Sequence, residues 1–323
     1  MSYAGPDFDP PQPRRSRRGP LTVALAALVP GALLGWVVYE AVGGGGPGGS
    51  DRTGSPAPLS HTASAPAPAS SSPRSAPPGD DGERSPRPSA PGAPAGSGPL
   101  AGKVVVIDPG HNPGNFRHVS EINRKVDIGT NRKECDTTGT STDAGYAEAR
   151  FTLDVAHRLR SLLREQGATV KLTHDGDSPP WGPCVDERAR IGNAADADAA
   201  VSIHADGSAP GNRGFHVIMP GSVHSGGADT RKIVGPSHDL GVRIAGAFLR
   251  ETGEPPSNYL GGGTGFVTRT DLGGLNLSTV PKVFIECGNM RDSKDAAALT
   301  SGAWRQKAAQ GISEGIVSFL RRS

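Results

Sequence analysis

Three ionisable residues stand at the ends of three apolar runs in this sequence. His111 follows Val-Val-Val-Ile-Asp-Pro-Gly at 104–110, His204 follows Ala-Ala-Val-Ser-Ile at 199–203, and Glu286 follows Val-Phe-Ile at 283–285. In an open α/β sheet, ligands bind beyond the carboxyl ends of the strands. The three side chains are therefore expected to share one site.

A fourth ionisable residue, Glu148, would complete the ligand set of a catalytic metal. Two histidines and one carboxylate, here His111, His204 and Glu148, can bind a catalytic zinc ion and leave a fourth position for water. Zinc polarises a carbonyl and lowers the pKa of that water toward about 7. Glu286 could take the proton of the water and pass it to a leaving amine. These residues favour metal-assisted hydrolysis.

Each of these residues also has an ordinary structural explanation. A histidine that follows a strand is commonly a hydrogen-bonded loop residue. Glu148 lies in the first turn of a predicted helix, three residues before Phe151. The helix dipole favours any carboxylate there by about 0.3–1 kcal/mol. From the residues alone, a ligand role and a helix-start role for Glu148 both remain open.

Two other kinds of hydrolytic site are disfavoured. The sequence has no Gly-x-Ser-x-Gly elbow for a serine nucleophile. Cys287 follows Glu286 in the same predicted strand, so the two side chains face opposite sides of the sheet and Cys287 is expected in the core. His216 lies inside a predicted strand at 214–219 and is interpreted as a strand residue.

The elements that must position these residues alternate between strands and helices. The β-branched residues at 104–107 are typical of a strand that is buried on both faces. An apolar helical stripe from Phe151 and a strand at 169–173 complete a βαβ-like unit. A helix is predicted at about 186–195, and another from an N-terminal cap at Ser237, with Gly253 just past its end. The last predicted helix has one apolar stripe, formed by Trp304, Ala308, Ile312, Ile316 and Leu320.

Two long segments lack a regular pattern. Residues 112–146 are rich in Gly, Asn, Thr, Ser and charge, and a loop of this length in a compact domain is usually functional or loosely ordered. The Gly-rich segment 260–277 has too many glycines for a regular element and is predicted to form a rim that contacts substrate, with glycines that serve turns alone as the alternative. Asn276 in this rim is predicted as a substrate-binding residue.

Cys135 and Cys184 lie in loop-like surroundings. An oxidising compartment would permit them to pair. A disulfide between Cys135 and Cys184 is therefore predicted, with two free thiols as the alternative.

The first third of the chain has the composition of a targeting segment and a tether. A basic N-terminus at 1–19 precedes an apolar segment at 20–43, which is long enough to cross the ~30 Å apolar core of a bilayer. Residues 44–98 are rich in Pro, Gly, Ser and Ala and are expected to be disordered. We expect either a transmembrane anchor or a signal peptide cleaved near 41–43, and both would export residues 99–323. A net charge of +2 gives no nucleic-acid signature.

The same residues carry a resemblance to a known family. The motifs are Val-Val-Val-Ile-Asp-Pro-Gly-His at 104–111, Glu-x-x-x-x-Leu from Glu148, Ser-Ile-His-Ala at 202–205 and Pro-Lys-Val-Phe-Ile-Glu-Cys-Gly-Asn at 281–289. In this order they are similar to the zinc-dependent N-acetylmuramoyl-L-alanine amidases of the amidase_3 type. The resemblance runs from about Gly102 to the C-terminus and includes Arg188 and Asn193.

The resemblance implies both a fold and an activity. The fold would be a single α/β domain with a central mixed, mostly parallel sheet flanked by helices. His111, Glu148 and His204 would bind Zn²⁺, and Glu286 would be the catalytic carboxylate. The reaction would be hydrolysis of the amide between N-acetylmuramic acid and the L-alanine of the stem peptide in peptidoglycan.

Some features depart from the general pattern of the family and resemble its actinobacterial branch. They are the long segment 112–146, the cysteine pair, Cys287 and the Asn-Met dipeptide at 289–290. The expected partners are peptidoglycan and, through the N-terminal segment, the cytoplasmic membrane, with the domain on its outer face or secreted to the cell wall. A catalytically silent wall-binding or regulatory domain and a zinc peptidase of the stem peptide are the alternatives.

Overall fold

A computed structural model describes residues 98–322 of the chain. The predicted basic N-terminus, the apolar segment 20–43 and almost all of the tether at 44–98 lie outside these described residues. Within 98–322, no helix combines the length and the apolar character that a membrane crossing needs.

Six strands form the central sheet of this part. In chain order they are β1 (Val104–Pro109), β2 (Thr169–Leu172), β3 (Ala199–Asp206), β4 (His216–Pro220), β5 (Phe266–Arg269) and β6 (Lys282–Asn289).

The spatial order of the sheet is β2-β1-β3-β6-β4-β5. All neighbouring pairs are parallel except β6 and β4, which are antiparallel. This confirms the predicted mixed, mostly parallel sheet. Because β1, β3 and β6 are adjacent and parallel, their carboxyl ends lie along the same edge.

Among the described residues, five helices of eight or more residues flank the sheet. They are α1 (Glu148–Glu165), α2 (Val185–Ala194), α3 (Val234–Thr252), α4 (Ser293–Thr300) and α5 (Gly302–Leu320). A predicted βαβ unit, β1-α1-β2, is confirmed by the parallel pairing of β1 with β2.

Side chains on β1 alternate between two cores, as a strand buried on both faces requires. Val105 and Ile107 pack in the larger core with helices α1, α3 and α5. Val106 packs on the other face with Ala200 and with Ile191 of α2. Burying each such aliphatic side chain stabilises the fold by about 1.5–3 kcal/mol. Helices therefore pack against both faces of β1 and hold it in place.

Helices α3 and α5 pack against each other at a glycine. A Cβ added to Gly315 of α5 would lie 2.5 Å from the Cα of Ile244 in α3. This is far inside van der Waals contact, so the two backbones could not approach as they do with any larger residue at Gly315. The buried stripe of the last helix, predicted around Ile312 and Ile316, faces this contact.

The segment 112–146 is more regular than predicted. It contains a 3₁₀ turn at Asn115–Arg117, a short helix at Val119–Asn123 and an antiparallel pair formed by Lys125–Asp127 and Arg132–Glu134.

A disulfide joins this segment to the start of α2. Cys135 and Cys184, which lie 49 residues apart in sequence, form the predicted bond. A cross-link closing a loop of this length stabilises a fold by about 4 kcal/mol by the chain-entropy argument. The two cysteines pack in a small apolar cluster with Val126 and Ile128.

The predicted helix cap at Ser237 is wrong. The carbonyl of Thr230 already accepts the N–H groups of Ile233 and Val234, so α3 is helical before Ser237 is reached. Ser237 is buried in the helix, and its hydroxyl accepts the N–H of Lys282 at 3.1 Å. The other end is as predicted, because α3 ends at Thr252 and Gly253 stands just past it.

The Gly-rich segment 260–277 is not irregular throughout. It contains the edge strand β5, which pairs in parallel with β4 from Val217 opposite Phe266 to Pro220 opposite Arg269. It also contains a short helix at Gly273–Asn276. Phe266, Val267 and Thr268 have the β-branched and aromatic side chains that favour a strand, and the glycines around them obscure this signal.

Candidate metal centre

The side chains of His111, Glu148 and His204 meet at the carboxyl edge of the sheet. One potential ligand atom from each lies within 4.8 Å of the others. The Nε2 atom of His111 lies 3.1 Å from Oε1 of Glu148, and the Nδ1 atom of His204 lies 3.0 Å from the same oxygen. Two imidazoles and a carboxylate around one point are the donor set of a metal site with an open fourth position.

His111 stands just beyond β1 in a strained backbone conformation. Its φ of 61° lies in the left-handed region, which costs a residue other than glycine about 1 kcal/mol or more. Its Nδ1 donates to the carbonyl of Thr137 at 3.1 Å. With the proton on Nδ1, the nitrogen directed at Glu148 is Nε2, which is how a metal-binding histidine is usually oriented.

Glu148 is the first residue of α1 and is buried. Its Oε2 accepts the N–H of Thr140 at 2.9 Å, and its Oε1 accepts the N–H of Ala205 at 3.2 Å. Gly139, with φ 74°, allows the chain to pass over this carboxylate, since an added Cβ would lie 2.8 Å from Oε2 of Glu148 and 2.7 Å from Cδ2 of His111. The segment 112–146 thus holds the carboxylate in place.

His204 lies within β3 near its carboxyl end. Its ring stacks on Phe284 of β6, with the ring centroids 5.3 Å apart and the planes at 2°. The same ring meets His111 edge to face, with centroids 5.0 Å apart. The neighbouring strand and the neighbouring imidazole together fix the orientation of His204.

The charges of the cluster balance one another. Burial disfavours a charged His111, but the carboxylates of Glu148 and Asp136 outweigh burial and raise the pKa of His111 to about 10. Burial also disfavours an ionised Glu148, but His111 and His204 hold the pKa of this carboxyl well below its usual range. The carboxylates of Glu148 and Asp136 therefore stabilise positive charge at the point where the three side chains meet.

Glu286 faces the same cavity from β6. It is the register partner of His204 on the adjacent strand, and a cavity of about 370 Å³ is lined by both residues together with His111 and Glu148. Its Oε2 is buried and has no hydrogen-bond partner among residues 98–322. Burial first, and then the carboxylates of Glu148 and Asp206, raise the pKa of Glu286 well above its usual value. A carboxyl in this state is suited to accepting a proton.

A buried charge network supports the loop that carries His111. Asp108 at the end of β1 accepts Nη1 of Arg188 at 2.8 Å and Nζ of Lys282 at 3.0 Å. Burial opposes the charge on Asp108, but Lys282 and Arg188 outweigh it and hold the pKa of Asp108 far below its usual range. Nη2 of Arg188 also bonds the carboxylate of Asp136 at 2.9 Å and the carbonyl of His111 at 3.0 Å. Arg188 thus links β1 to the edge of the sheet that carries His111.

The family of the chain follows from comparison with known proteins. Residues 105–318 match the Amidase_3 family, described as N-acetylmuramoyl-L-alanine amidase. The chain belongs to this family.

Individual amidases agree with this assignment. The chain is 40% identical to the N-acetylmuramoyl-L-alanine amidase Rv3717 of Mycobacterium tuberculosis over 68% of this chain and 88% of that protein. The crystal structure of the N-acetylmuramyl-L-alanine amidase Ami1 from Mycobacterium smegmatis matches with a TM-score of 0.63 at 38% identity, over 70% of this chain and 100% of that one. Ami1 from Mycobacterium abscessus matches with a TM-score of 0.62 at 40% identity, over 68% and 100% of the two chains.

Asp206 and Arg269 of this amidase domain also line the cavity, although neither is predicted from the sequence. Asp206 accepts the hydroxyl of Tyr259 at 2.7 Å, and Arg269 forms two bonds to Asp271, at 2.6 and 2.8 Å. Asp206 could have been found, because it lies two residues after His204 on the same side of its strand. Arg269 lies in the Gly-rich segment, where periodicity gives no signal.

His216 lies within β4, as predicted. It is buried and stands opposite Glu286 in the antiparallel pair of β4 and β6. Its ring meets Tyr259 edge to face, with the centroids 6.0 Å apart. Cys287 is also as predicted, because it is buried in the large core on the other face of the sheet from Glu286.

Asn276, the predicted substrate contact, lies in the interior. It is fully buried, and its Nδ2 donates to the carbonyl oxygens of Ile128 and Thr270 at 3.3 and 2.9 Å. The amide thus joins the segment 112–146 to the Gly-rich segment and is not among the residues that line the cavity at Glu286. Asn193, part of the family resemblance, likewise bonds backbone, donating to Leu277 and accepting from Thr279.

Proposed function

We propose that this chain is a zinc-dependent N-acetylmuramoyl-L-alanine amidase that cleaves the amide between the lactyl group of N-acetylmuramic acid and the L-alanine of the peptidoglycan stem peptide. The observation that carries the proposal is the meeting of His111, Glu148 and His204 within 4.8 Å, with Glu286 facing the same cavity. The 40% identity to an amidase of Mycobacterium tuberculosis supports the same class of substrate.

Zinc is the metal that this donor set suits. The three donors are imidazole nitrogens and a carboxylate oxygen, which catalytic zinc sites use with one position left open. Hydrogen bonds from His111 to Thr137 and from Thr140 to Glu148 orient two of the donors. When bound there, zinc would polarise the scissile carbonyl and lower the pKa of the attacking water toward about 7.

Glu286 would act first as a general base and then as a general acid. Its carboxylate takes a proton from the attacking water while the water oxygen forms a bond to the carbonyl carbon. The carboxyl then gives that proton to the amide nitrogen as the carbon–nitrogen bond breaks. The products are the lactyl carboxylate and a peptide with a free amino group at L-alanine. The absence of a competing hydrogen bond at Oε2 of Glu286, within the described part of the chain, favours this role.

The test is digestion of a defined muropeptide by the full-length protein, with products identified by mass spectrometry. We expect an intact stem peptide that begins with L-alanine, and loss of cleavage after chelation. Glu286→Gln should lower the rate at least about 100-fold, the usual range for a lost acid–base group, while bound zinc is retained. Glu165→Gln, an exposed change at the far end of α1, should leave the rate unchanged.

Other outcomes would support other functions. Cleavage between residues of the stem peptide would identify a peptidase. Wall binding without cleavage under any condition would identify a binding domain of the same fold. Unchanged turnover in the Glu286→Gln variant would remove this residue from the mechanism.

We further propose that the protein acts outside the cytoplasm, anchored by residues 20–43 or released after cleavage near 41–43. The arginines before this apolar segment and its length support the proposal. Fractionation of cells into membrane, wall and medium, with N-terminal sequencing of the mature protein, would distinguish the anchor from the cleaved signal. Recovery of the intact protein only from the cytoplasm would contradict both.

A further inference from the structure

A groove lies beside the cluster formed by His111, Glu148 and His204, on the side of the segment 112–146. Its volume is about 640 Å³, and its lining includes Phe116, Arg117, Gly139, Thr140 and Arg150. Gly139 and Thr140 also line the cavity that contains His111, Glu148 and His204, so the groove adjoins the proposed reaction centre. We call it the basic groove because of its two arginines.

Neither guanidinium of the basic groove is paired with a carboxylate of the described residues. Arg117 and Arg150 are both exposed and take part in no ion pair within 98–322, whereas Arg158 and Arg160, farther along α1, are paired with Asp154 and Asp175. An acidic residue, Asp177, also lines the groove but forms no ion pair with either arginine. The two charges are therefore available to an anionic group from outside the chain.

The position of Arg150 opposes helix stability. It lies in the first turn of the 18-residue helix α1, where the helix dipole is positive and a cation is disfavoured by about 0.3–1 kcal/mol. The acidic residue of the same turn, Glu148, directs its carboxylate to His111 and His204, and no carboxylate of the described residues forms an ion pair with Arg150. The arginine and the dipole together make this end of the groove positive.

Arg117 is held at the groove by an aromatic ring. Its guanidinium carbon lies 4.9 Å from the ring centroid of Phe116, whose side chain is 60% exposed. A cation over an aromatic face gains about 0.5–1 kcal/mol at an exposed site. An exposed phenylalanine that supports an unpaired guanidinium has no evident role in folding, because neither group packs in the core.

We infer that Arg117 and Arg150 bind a carboxylate of the stem peptide, on the L-alanine side of the scissile amide. The inference rests on the proposed function and adds to it the part of the substrate that this groove recognises. The sugars and the lactyl amide on the other side of the scissile bond are uncharged, whereas stem peptides carry acidic residues. Guanidinium groups bind carboxylates through charge-assisted, often bidentate hydrogen bonds.

The experiment compares two muropeptides of the same length, one with free carboxylates on the stem and one with those carboxylates amidated. The full-length protein should cleave the free-carboxylate substrate with a kcat/KM about tenfold higher, the equivalent of one charge-assisted hydrogen bond, and mainly through KM. The preference should shrink as salt increases. In the double variant Arg117→Gln/Arg150→Gln the preference should disappear, with kcat on the amidated substrate unchanged.

Arg164→Gln is the matched control, because Arg164 is also on α1, exposed and without an ion pair in the described residues. It should keep the preference of the unmodified protein. A double variant that keeps the preference, or an unmodified protein with none, would overturn the inference while leaving the amidase activity intact. An unmodified protein that cleaves neither substrate would instead contradict the proposed function. Equilibrium binding of the released peptide gives a second readout, and equal affinity in the double variant would also overturn the inference.

Discussion

At the scale of single residues, one member of the candidate metal-binding cluster, His111, has a strained backbone conformation. His111 adopts a φ of 61° and is held there by Arg188, which bonds its carbonyl, and by Thr137, which fixes its ring. Strained residues persist where the surrounding structure determines their conformation and commonly mark functional sites. The strain at His111 is thus an independent sign that this imidazole must point in one direction.

Replacing Glu148 by Gln should abolish stoichiometric zinc binding without unfolding the domain. The amide keeps an oxygen that can accept the N–H of Thr140, but it lacks the negative charge that the two imidazoles need between them. Zinc per chain, measured by elemental analysis after dialysis, should fall to background while the circular dichroism spectrum is kept. Full zinc content in this variant would show that the metal binds elsewhere.

His216 should make the fold less stable as the pH falls. Burial lowers the pKa of His216 to about 4 in the folded chain, against about 6.5 when unfolded. Because the folded pKa is depressed, the unfolded chain takes up the proton first. Stability from this residue is therefore complete above about pH 6.5 and is lost between about 6.5 and 4.

The measurement is urea unfolding at two pH values, with His216→Gln as the comparison. Between pH 7.5 and 5, His216 should account for a fall of about 2 kcal/mol in the free energy of unfolding. The variant should lose that much less over the same interval. An equal loss in both proteins would mean that His216 takes up its proton equally in the folded and unfolded chains.

At the scale of elements, the contact of α3 with α5 depends on the absence of one side chain. Gly315→Ala would insert a methyl group 2.5 Å from the Cα of Ile244. Overpacking of this kind costs about 1–3 kcal/mol, which should appear as a lower midpoint in urea unfolding.

Gly246→Ala is the control, because Gly246 lies in α3 with open space at its Cβ position. There alanine should stabilise the helix by about 0.5–1 kcal/mol. If both changes stabilised the protein, the two helices would not be as close as described.

The elements also show what a sequence pattern can and cannot predict. The runs before His111, His204 and Glu286 were sufficient, because parallel strands place their carboxyl ends on one edge. The residue pattern alone does not decide the role of Glu148. An acidic residue at a helix start has the same sequence context whether it binds a metal or only complements the helix dipole. Ser237 was misplaced because the helix begins through a backbone bond to Thr230, which no residue type signals.

At the scale of the whole molecule, contacts between distant segments account for what the sequence did not predict. Asn276 is placed by the carbonyls of Ile128 and Thr270, so its burial depends on how 112–146 folds over the Gly-rich segment. The basic groove likewise forms only when Arg117 and Arg150, from a 3₁₀ turn and a helix start, come together. The periodicity of residues within one helix or strand does not predict contacts between segments that are distant in sequence.

The disulfide is the covalent link between the segment 112–146 and the start of α2. Replacing Cys135 and Cys184 together by Ser should lower the free energy of unfolding by about 4 kcal/mol. Urea unfolding of the variant under non-reducing conditions measures this loss. A variant as stable as the unmodified protein would mean that the segment 112–146 is held by its other contacts alone.

The third cysteine has a practical consequence. Cys287 is the free thiol of the described residues, it is fully buried, and burial raises its pKa well above the usual value. It adjoins Glu286 in the strand at the centre of the sheet. A thiol-alkylating reagent can therefore reach Cys287 only when that strand opens. The rate of labelling thus measures how often the sheet beneath the reaction centre opens transiently.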